Sequence, residues 1–181
     1  MPRQAGSAAA VWRRLAGGRR GRYGVAALGA VVAFALGWRA HGAPAARVVR
    51  AVPVQEKAVA LTFDDGPSPA YTPRVLKLLE ENGAKATFFV IGRQVARHPD
   101  LVRAEAAAGH EVANHGDQHR TLRGLDASAI ETEVKANEQL ITDLTGTRPV
   151  LYRLPQGRMD PASLATLVRL GYTVVMWSTI M

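Results

Sequence analysis

Three short runs in this chain carry side chains suited to hydrolysis. Asp64 and Asp65 stand side by side in Thr62-Phe63-Asp64-Asp65-Gly66-Pro67, where an apolar stretch ends. Adjacent carboxylates repel, and each ionised group raises the pKa of its neighbour. Such pairs are kept for a cation, for proton transfer, or for both. His115 and His119 follow in His115-Gly116-Asp117-Gln118-His119, and Arg153 and Gln156 in Arg153-Leu154-Pro155-Gln156-Gly157. Imidazoles at i and i+4 share one face of a helical turn, so both can point at one ion.

Asp65, His115 and His119 can offer one oxygen and two nitrogens to a divalent cation. Three protein ligands leave a coordination position open, as catalytic sites do. This borderline donor set suits Zn²⁺, with Co²⁺ or Ni²⁺ able to substitute. Asp64 is the candidate general base, accepting the proton of a water acidified by the cation. The competing reading is two unrelated surface histidines near an exposed aspartate.

The elements that must position these groups alternate between strand and helix. Ala58–Phe63 is a short apolar run that suits a buried strand. Thr72-Pro73 reads as a helix start, Val75, Leu76, Leu78 and Leu79 as its stripe, and Gly83 as its end. Thr87–Ile91 is a second strand, a helix opens at Pro99 and closes at Gly109, and Glu111–Asn114 is a third strand. Asp126 caps a long helix carrying Ile130, Val134, Leu140, Ile141 and Leu144 and ending at Gly146. Val150–Arg153, Pro161–Leu170 and Tyr172–Trp177 read as strand, helix and fifth strand. This alternation predicts a parallel sheet, open or barrel-shaped, whose chemistry gathers at the C-terminal ends of the strands. Asp64-Asp65, His115 and Arg153 all fall there.

This order of motifs resembles the polysaccharide deacetylases that share the NodB homology domain (carbohydrate esterase family 4). The resemblance rests on Thr62-Phe63-Asp64-Asp65-Gly66-Pro67, on Gly109-His110-Glu111-Val112-Ala113-Asn114-His115 with His119, and on Arg153-Leu154-Pro155-Gln156-Gly157; it covers roughly residues 57–178. It implies an α/β fold, a distorted (β/α) barrel of NodB type. It assigns Asp65, His115 and His119 to the metal, Asp64 to the base and Arg153 to pairing with it, which would keep that carboxylate ionised and oriented. A backbone N–H near Gln156 would assist the oxyanion. Two positions depart from the family pattern. Gln156 stands where an aromatic residue is usual, and Gly116 where Ser or Thr is common, which would remove a hydrogen bond behind the ligands. His110 is expected to pack structurally, His98 to lie at a helix end or on the surface, Trp177 to pack in the barrel and Asp117 to be solvated.

The family pattern continues past Trp177 with further strands and a Leu-x-His motif whose histidine protonates the leaving amine. Here Ser178-Thr179-Ile180-Met181 follow, so the expected barrel is incomplete at the C-terminus, with an open apolar edge at Tyr172–Trp177.

Charge divides the chain in two. Nine of its 23 basic residues lie in residues 1–50, which contain no Asp or Glu; the other 14 face all 15 acids, so the net charge of +8 belongs to the N-terminal segment. That distribution argues against nucleic acid as a partner. Residues 1–22 read as a basic cytoplasmic tail. Residues 23–39, almost free of charge, read as a hydrophobic helix, either a signal anchor or a signal-peptide core with Ala43-Pro44-Ala45 as cleavage site. Residues 40–56 read as a linker and residues 57–181 as the domain. Basic residues before the apolar run place the domain outside the cytoplasmic membrane, anchored or secreted. With no Cys, no disulfide supports it. The leading expectation is a metal-dependent hydrolase removing N-acetyl groups from an amino-sugar polymer, peptidoglycan or chitin-like. The alternatives are a non-catalytic, membrane-tethered carbohydrate-binding remnant and an open-sheet binding protein without metal.

Overall fold

A computed structural model describes residues 48–55 and 58–179. The hydrophobic helix and cleavage site expected before residue 48 lie outside these residues. No helix among them is long and apolar enough to cross a membrane. The elements in order are β1 (Val48–Val49), β2 (Leu61–Gly66), α1 (Thr72–Glu81), β3 (Ala86–Val90), α2 (Gly92–Arg97), α3 (Pro99–Ala107), β4 (Glu111–Asn114), α4 (Ala127–Thr145), β5 (Leu151–Tyr152), a single 3-10 turn (Pro155–Gly157), α5 (Pro161–Arg169) and β6 (Thr173–Val175). All five strand pairings are parallel, and the spatial order is β1-β6-β5-β4-β3-β2.

Two departures from the sequence reading concern β1 and α2. Val48 and Val49, read as linker, pair with Val174 and Val175. The edge of β6 expected to be open is therefore covered by a two-residue strand. So short a strand shows no alternation that distinguishes it from a linker; only the partner across the sheet defines it. The short α2 follows β3 directly, its Gly92 and Arg93 amides donating to the carbonyls of Gly116 and Asp117 at 3.0 and 2.9 Å. The remaining elements lie where expected, within a few residues. Asp126 caps α4 by accepting from the Ala129 amide at 2.8 Å, and left-handed Gly146 (φ 71°) ends it. Asp160 and Ser163 form a reciprocal capping box at the start of α5. At α1 the cap is Tyr71 rather than Thr72, whose hydroxyl instead accepts from the Ser68 amide at 2.9 Å.

Alternation along the strands sorts side chains onto two faces. Phe88, Val90 and Val112 pack outward with Leu79, Val95, Val102 and Ile141 of the helices, and Phe63 stacks on its cross-strand neighbour Phe88 at 5.3 Å. Tyr152 and Val174 pack outward with Ile130, Val134 and Leu167. Phe89, Ala113, Leu151 and Val175 form a separate cluster on the opposite face. That inner face is concave, as Arg153 demonstrates. Its Nε donates to the Val175 carbonyl on β6 at 3.1 Å, and its Nη1 donates to Thr62 Oγ1 and Asp64 Oδ1 on β2 at 2.8 and 2.6 Å. In a flat sheet β6 and β2 would lie about 19 Å apart, four steps of ~4.8 Å. One guanidinium touches both, so the sheet curls around it like a barrel wall.

Removing this group should therefore loosen the fold. Arg153→Ala is expected to lower unfolding free energy by about 1–3 kcal/mol in urea titration, because three acceptors on two strands lose their shared donor. Arg153→Lys should recover only part, since one ammonium cannot reach three acceptors on two strands. Equal stability of both variants and the parent would contradict this role.

A second buried charge lies on α3. Glu105 is fully buried, neither carboxylate oxygen has a hydrogen-bond partner, and burial pushes its pKa from 4.5 up to about 8. The folded state then holds a proton that the unfolded chain releases, so stability should fall as pH rises from about 4.5 to about 8. The loss attributable to Glu105 should be on the order of 3 kcal/mol at pH 7, from about 2.5 pH units at ~1.4 kcal/mol each. Glu105→Gln should remove that part of the slope; urea midpoints measured at pH 5 and pH 8 would show it, and an unchanged slope would exclude it.

Candidate metal centre

Asp64 and Asp65 end β2, His115 follows β4 and Arg153 follows β5, so one rim of the sheet gathers them as expected. On a regular strand neighbouring side chains point to opposite faces. Here the β2–β3 register shifts between Asp64 and Gly66, and Asp65 has φ 66°. This bulge lets Asp65 join the rim while Asp64 faces Arg153 on the concave side. Asp65 is the more open, its side chain 65% exposed against 30% for Asp64.

The histidines converge for a different reason from the one the spacing suggests. Residues 115–119 are a loop, not a helical turn. Gly116 (φ 82°) and His119 (φ 59°) both take left-handed backbone, and these two reversals bring the rings to 5.0 Å between centroids. A polar loop of Gly, Asp and Gln has no apolar periodicity to reveal its path, so i, i+4 spacing read as helix was a misleading guide. Asp65 Oδ1 lies 3.5 Å from His115 Nε2 and 3.2 Å from His119 Nε2. One ligand atom from each of Asp65, His115 and His119 lies within 4.8 Å of the others.

The chemistry of these donors fits a cation. His115 Nδ1 lies 2.7 Å from the Arg153 carbonyl. A carbonyl only accepts, so Nδ1 carries the proton and Nε2 keeps its lone pair toward Asp65 and His119. Burial pushes the His115 imidazole below its usual range, against the opposing effect of that bond and the nearby carboxylates. A neutral ring is the ligating form. Asp65, His115 and His119 thus suit Zn²⁺ or a similar ion.

Behind the ligands lies a buried polar network. Asn114 Oδ1 accepts from the Gly116 amide at 2.8 Å and from Asn137 Nδ2 at 3.0 Å, while Asn114 Nδ2 donates to the Val134 carbonyl at 2.9 Å and Tyr172 Oη at 3.1 Å. Glu133 Oε1 accepts from the Gln118 and Arg120 amides at 2.7 and 3.2 Å. Sequence reasoning assigned no role to Glu133, Asn137 or Tyr172. Glu133 and Asn137 did leave a signal: they occupy the stripe of α4 set by Ile130, Val134 and Ile141, where polar residues are out of place unless bonded.

Arg153 pairs with Asp64 and also lies 4.0 Å above the Phe89 ring. Gln156 sits exposed in the 3-10 turn with φ 58°, three residues past Arg153. His98 ends α2 and begins α3, and His110 packs on Phe88 at 5.4 Å. Trp177 is half-buried against Gly157. Asp117, expected to be solvated, is half-buried, and its main chain bonds Glu133 and Arg93.

Comparison with known proteins places this rim in a known group. A peptidoglycan-N-acetylglucosamine deacetylase of Bacillus cereus is 38% identical over 135 residues, covering 75% of this chain and 63% of its own length. A chitooligosaccharide deacetylase of Rhizobium leguminosarum bv. trifolii is 40% identical over 123 residues, covering 68% and 57%. The crystal structure of a peptidoglycan N-acetylglucosamine deacetylase in complex with 4-naphthalen-1-yl-N-oxidanyl-benzamide superposes with TM-score 0.70 at 30% identity, covering 74% of this chain and 62% of that one. The chain therefore spans about three-fifths of the length of these relatives. The polysaccharide deacetylase family model matches residues 51–175, and this chain belongs to that family.

Proposed function

We propose that this chain carries the catalytic rim of a metal-dependent N-deacetylase acting on an N-acetylated amino-sugar polymer, peptidoglycan or a chitin-like oligomer. The observation that carries the reading is the meeting of Asp65, His115 and His119 within 4.8 Å, beside an aspartate fixed by a buried arginine. The names of the two sequence relatives support the substrate class. The apolar stretch of residues 23–39 after a basic segment supports a place at the outer face of the cytoplasmic membrane.

A divalent cation bound there supplies Lewis acidity and an acidified water. The protein's own groups do the rest. Arg153 engages Asp64 Oδ1, so Oδ2 is the proton acceptor when water attacks the acetyl carbonyl, and it returns that proton to the amine nitrogen as the C–N bond breaks. Two further bonds, from Arg153 to Thr62 and Val175, hold the guanidinium still and with it the carboxylate. The amide of the turn residue Gln156 is the donor assigned to the developing oxyanion. Gln156 offers no aromatic wall to a sugar ring, so the ring packs elsewhere on the rim.

Acetate release from N-acetylglucosamine oligomers and from peptidoglycan tests the reading. Zinc-loaded full chain should release acetate, EDTA should abolish release, and added zinc should restore it. Asp64→Asn should cut kcat by about 10²–10⁴-fold while zinc stays bound at the parent level. Zinc-replete protein that releases no acetate from either substrate would sink the proposal, as would full activity in Asp64→Asn.

A further inference from the structure

The segment between the two histidines is held from below by a single carboxylate. Glu133 is buried on α4, and its Oε1 accepts from the amides of Gln118 and Arg120, the residues on either side of His119, at 2.7 and 3.2 Å. Its main-chain carbonyl also accepts from the Asp117 amide at 3.0 Å. Between the two clamped amides, His119 adopts φ 59°. A left-handed non-glycine residue persists only where its surroundings over-determine it, and here the Glu133 oxygen bonds on both sides of it.

Gly116 is fitted to the same oxygen. A Cβ at residue 116 would come within 2.9 Å of Glu133 Oε1, 3.5 Å of Glu133 Cγ and 3.2 Å of the Tyr152 hydroxyl. The backbone there has φ +82°, which a side chain also disfavours. The Tyr152 hydroxyl is buried and has no hydrogen-bond partner. The glycine that removes a hydroxyl from between the histidines thus opens the space that the Glu133 carboxylate fills.

We propose that Glu133 is a positioning residue for the metal ligands: it sets His119 through the two amides beside it, and Gly116 makes room for it. The inference rests on the reading that Asp65, His115 and His119 hold a cation. It assigns Glu133 no contact with the ion or with substrate.

The test measures metal binding, not turnover. Zinc affinity by competition with a chromophoric chelator, and the visible spectrum of the Co²⁺-loaded protein, are compared for the parent, Glu133→Ala, Glu133→Gln, Gly116→Ala and the double variant Glu133→Ala with Gly116→Ala. Thermal midpoints in EDTA report the metal-free fold separately. Glu133→Ala should weaken zinc about 10–100-fold and alter the Co²⁺ spectrum. Glu133→Gln keeps a carbonyl acceptor for both amides and should recover most of the affinity and the parent spectrum. Gly116→Ala should weaken zinc less in the Glu133→Ala background than in the parent, because the group it displaces is already gone. Parent-like zinc affinity and Co²⁺ spectrum in Glu133→Ala would overturn the proposal. So would a Glu133→Gln variant as weak as Glu133→Ala, or a loss confined to the EDTA midpoint. A parent that takes up no zinc would overturn the metal reading itself, a result distinct from zinc-replete protein indifferent to residue 133.

Discussion

The contact on which this architecture depends is the ion pair between buried Arg153 and Asp64. Its Nη1–Oδ1 distance is 2.6 Å, and the arginine side chain is 3% exposed. Burying a guanidinium demands that its donors be satisfied. Asp64, Thr62 and Val175 do this from two strands four places apart in the sheet. The requirement draws the sheet into a curve and closes the concave face over Phe89. The same residue reaches the other half of the site through its main chain, because its carbonyl sets the tautomer of His115. Asp64 and His115 are thus aligned by opposite ends of one arginine.

Around this pair the rim concentrates unfavourable backbone geometry. Asp65, His119 and Gln156 are the three non-glycine residues with positive φ among the described residues, and all three lie on the rim. Each such residue costs on the order of 1–3 kcal/mol, though Asp and His are among the types that tolerate the region best. The bonds that hold them are visible: the bulge of β2 for Asp65, and the Glu133 carboxylate for His119. Strain at these points is what takes two adjacent aspartates off alternating faces and folds a loop back between two histidines.

The polar network beneath the loop links the rim to the helical layer. Asn114, Asn137 and Glu133 are all buried. Their bonds run from the Val90 carbonyl on β3 through Asn137 and Asn114 to Gly116 and to Tyr172 before β6. A network buried this deeply is stabilising only when its members are satisfied. Both polar atoms of the Asn114 side chain are bonded, whereas Asn137 Oδ1 has no partner, and the bonds that are made tie α4 to the sheet. Glu105, with no partner for either oxygen, marks the contrast: the same residue type buried on α3, without the amides that Glu133 finds.

The sequence alone determined much of this protein. Strand and helix periodicity, with capping residues such as Asp126 and Asp160, located nearly every element, because those signals are local and repeat with a fixed period. The type and order of Asp64, Asp65, His115, His119 and Arg153 pointed to the family to which the chain belongs, and the structure brings these five residues to one rim. Tertiary structure alone decided the rest. The pairing of Val48–Val49 with β6, the loop path that replaces the expected helical turn between the histidines, and the bonds of Glu133 depend on partners distant in the chain. A two-residue strand, a left-handed histidine and a buried glutamate acquire meaning only from what lies opposite them in space.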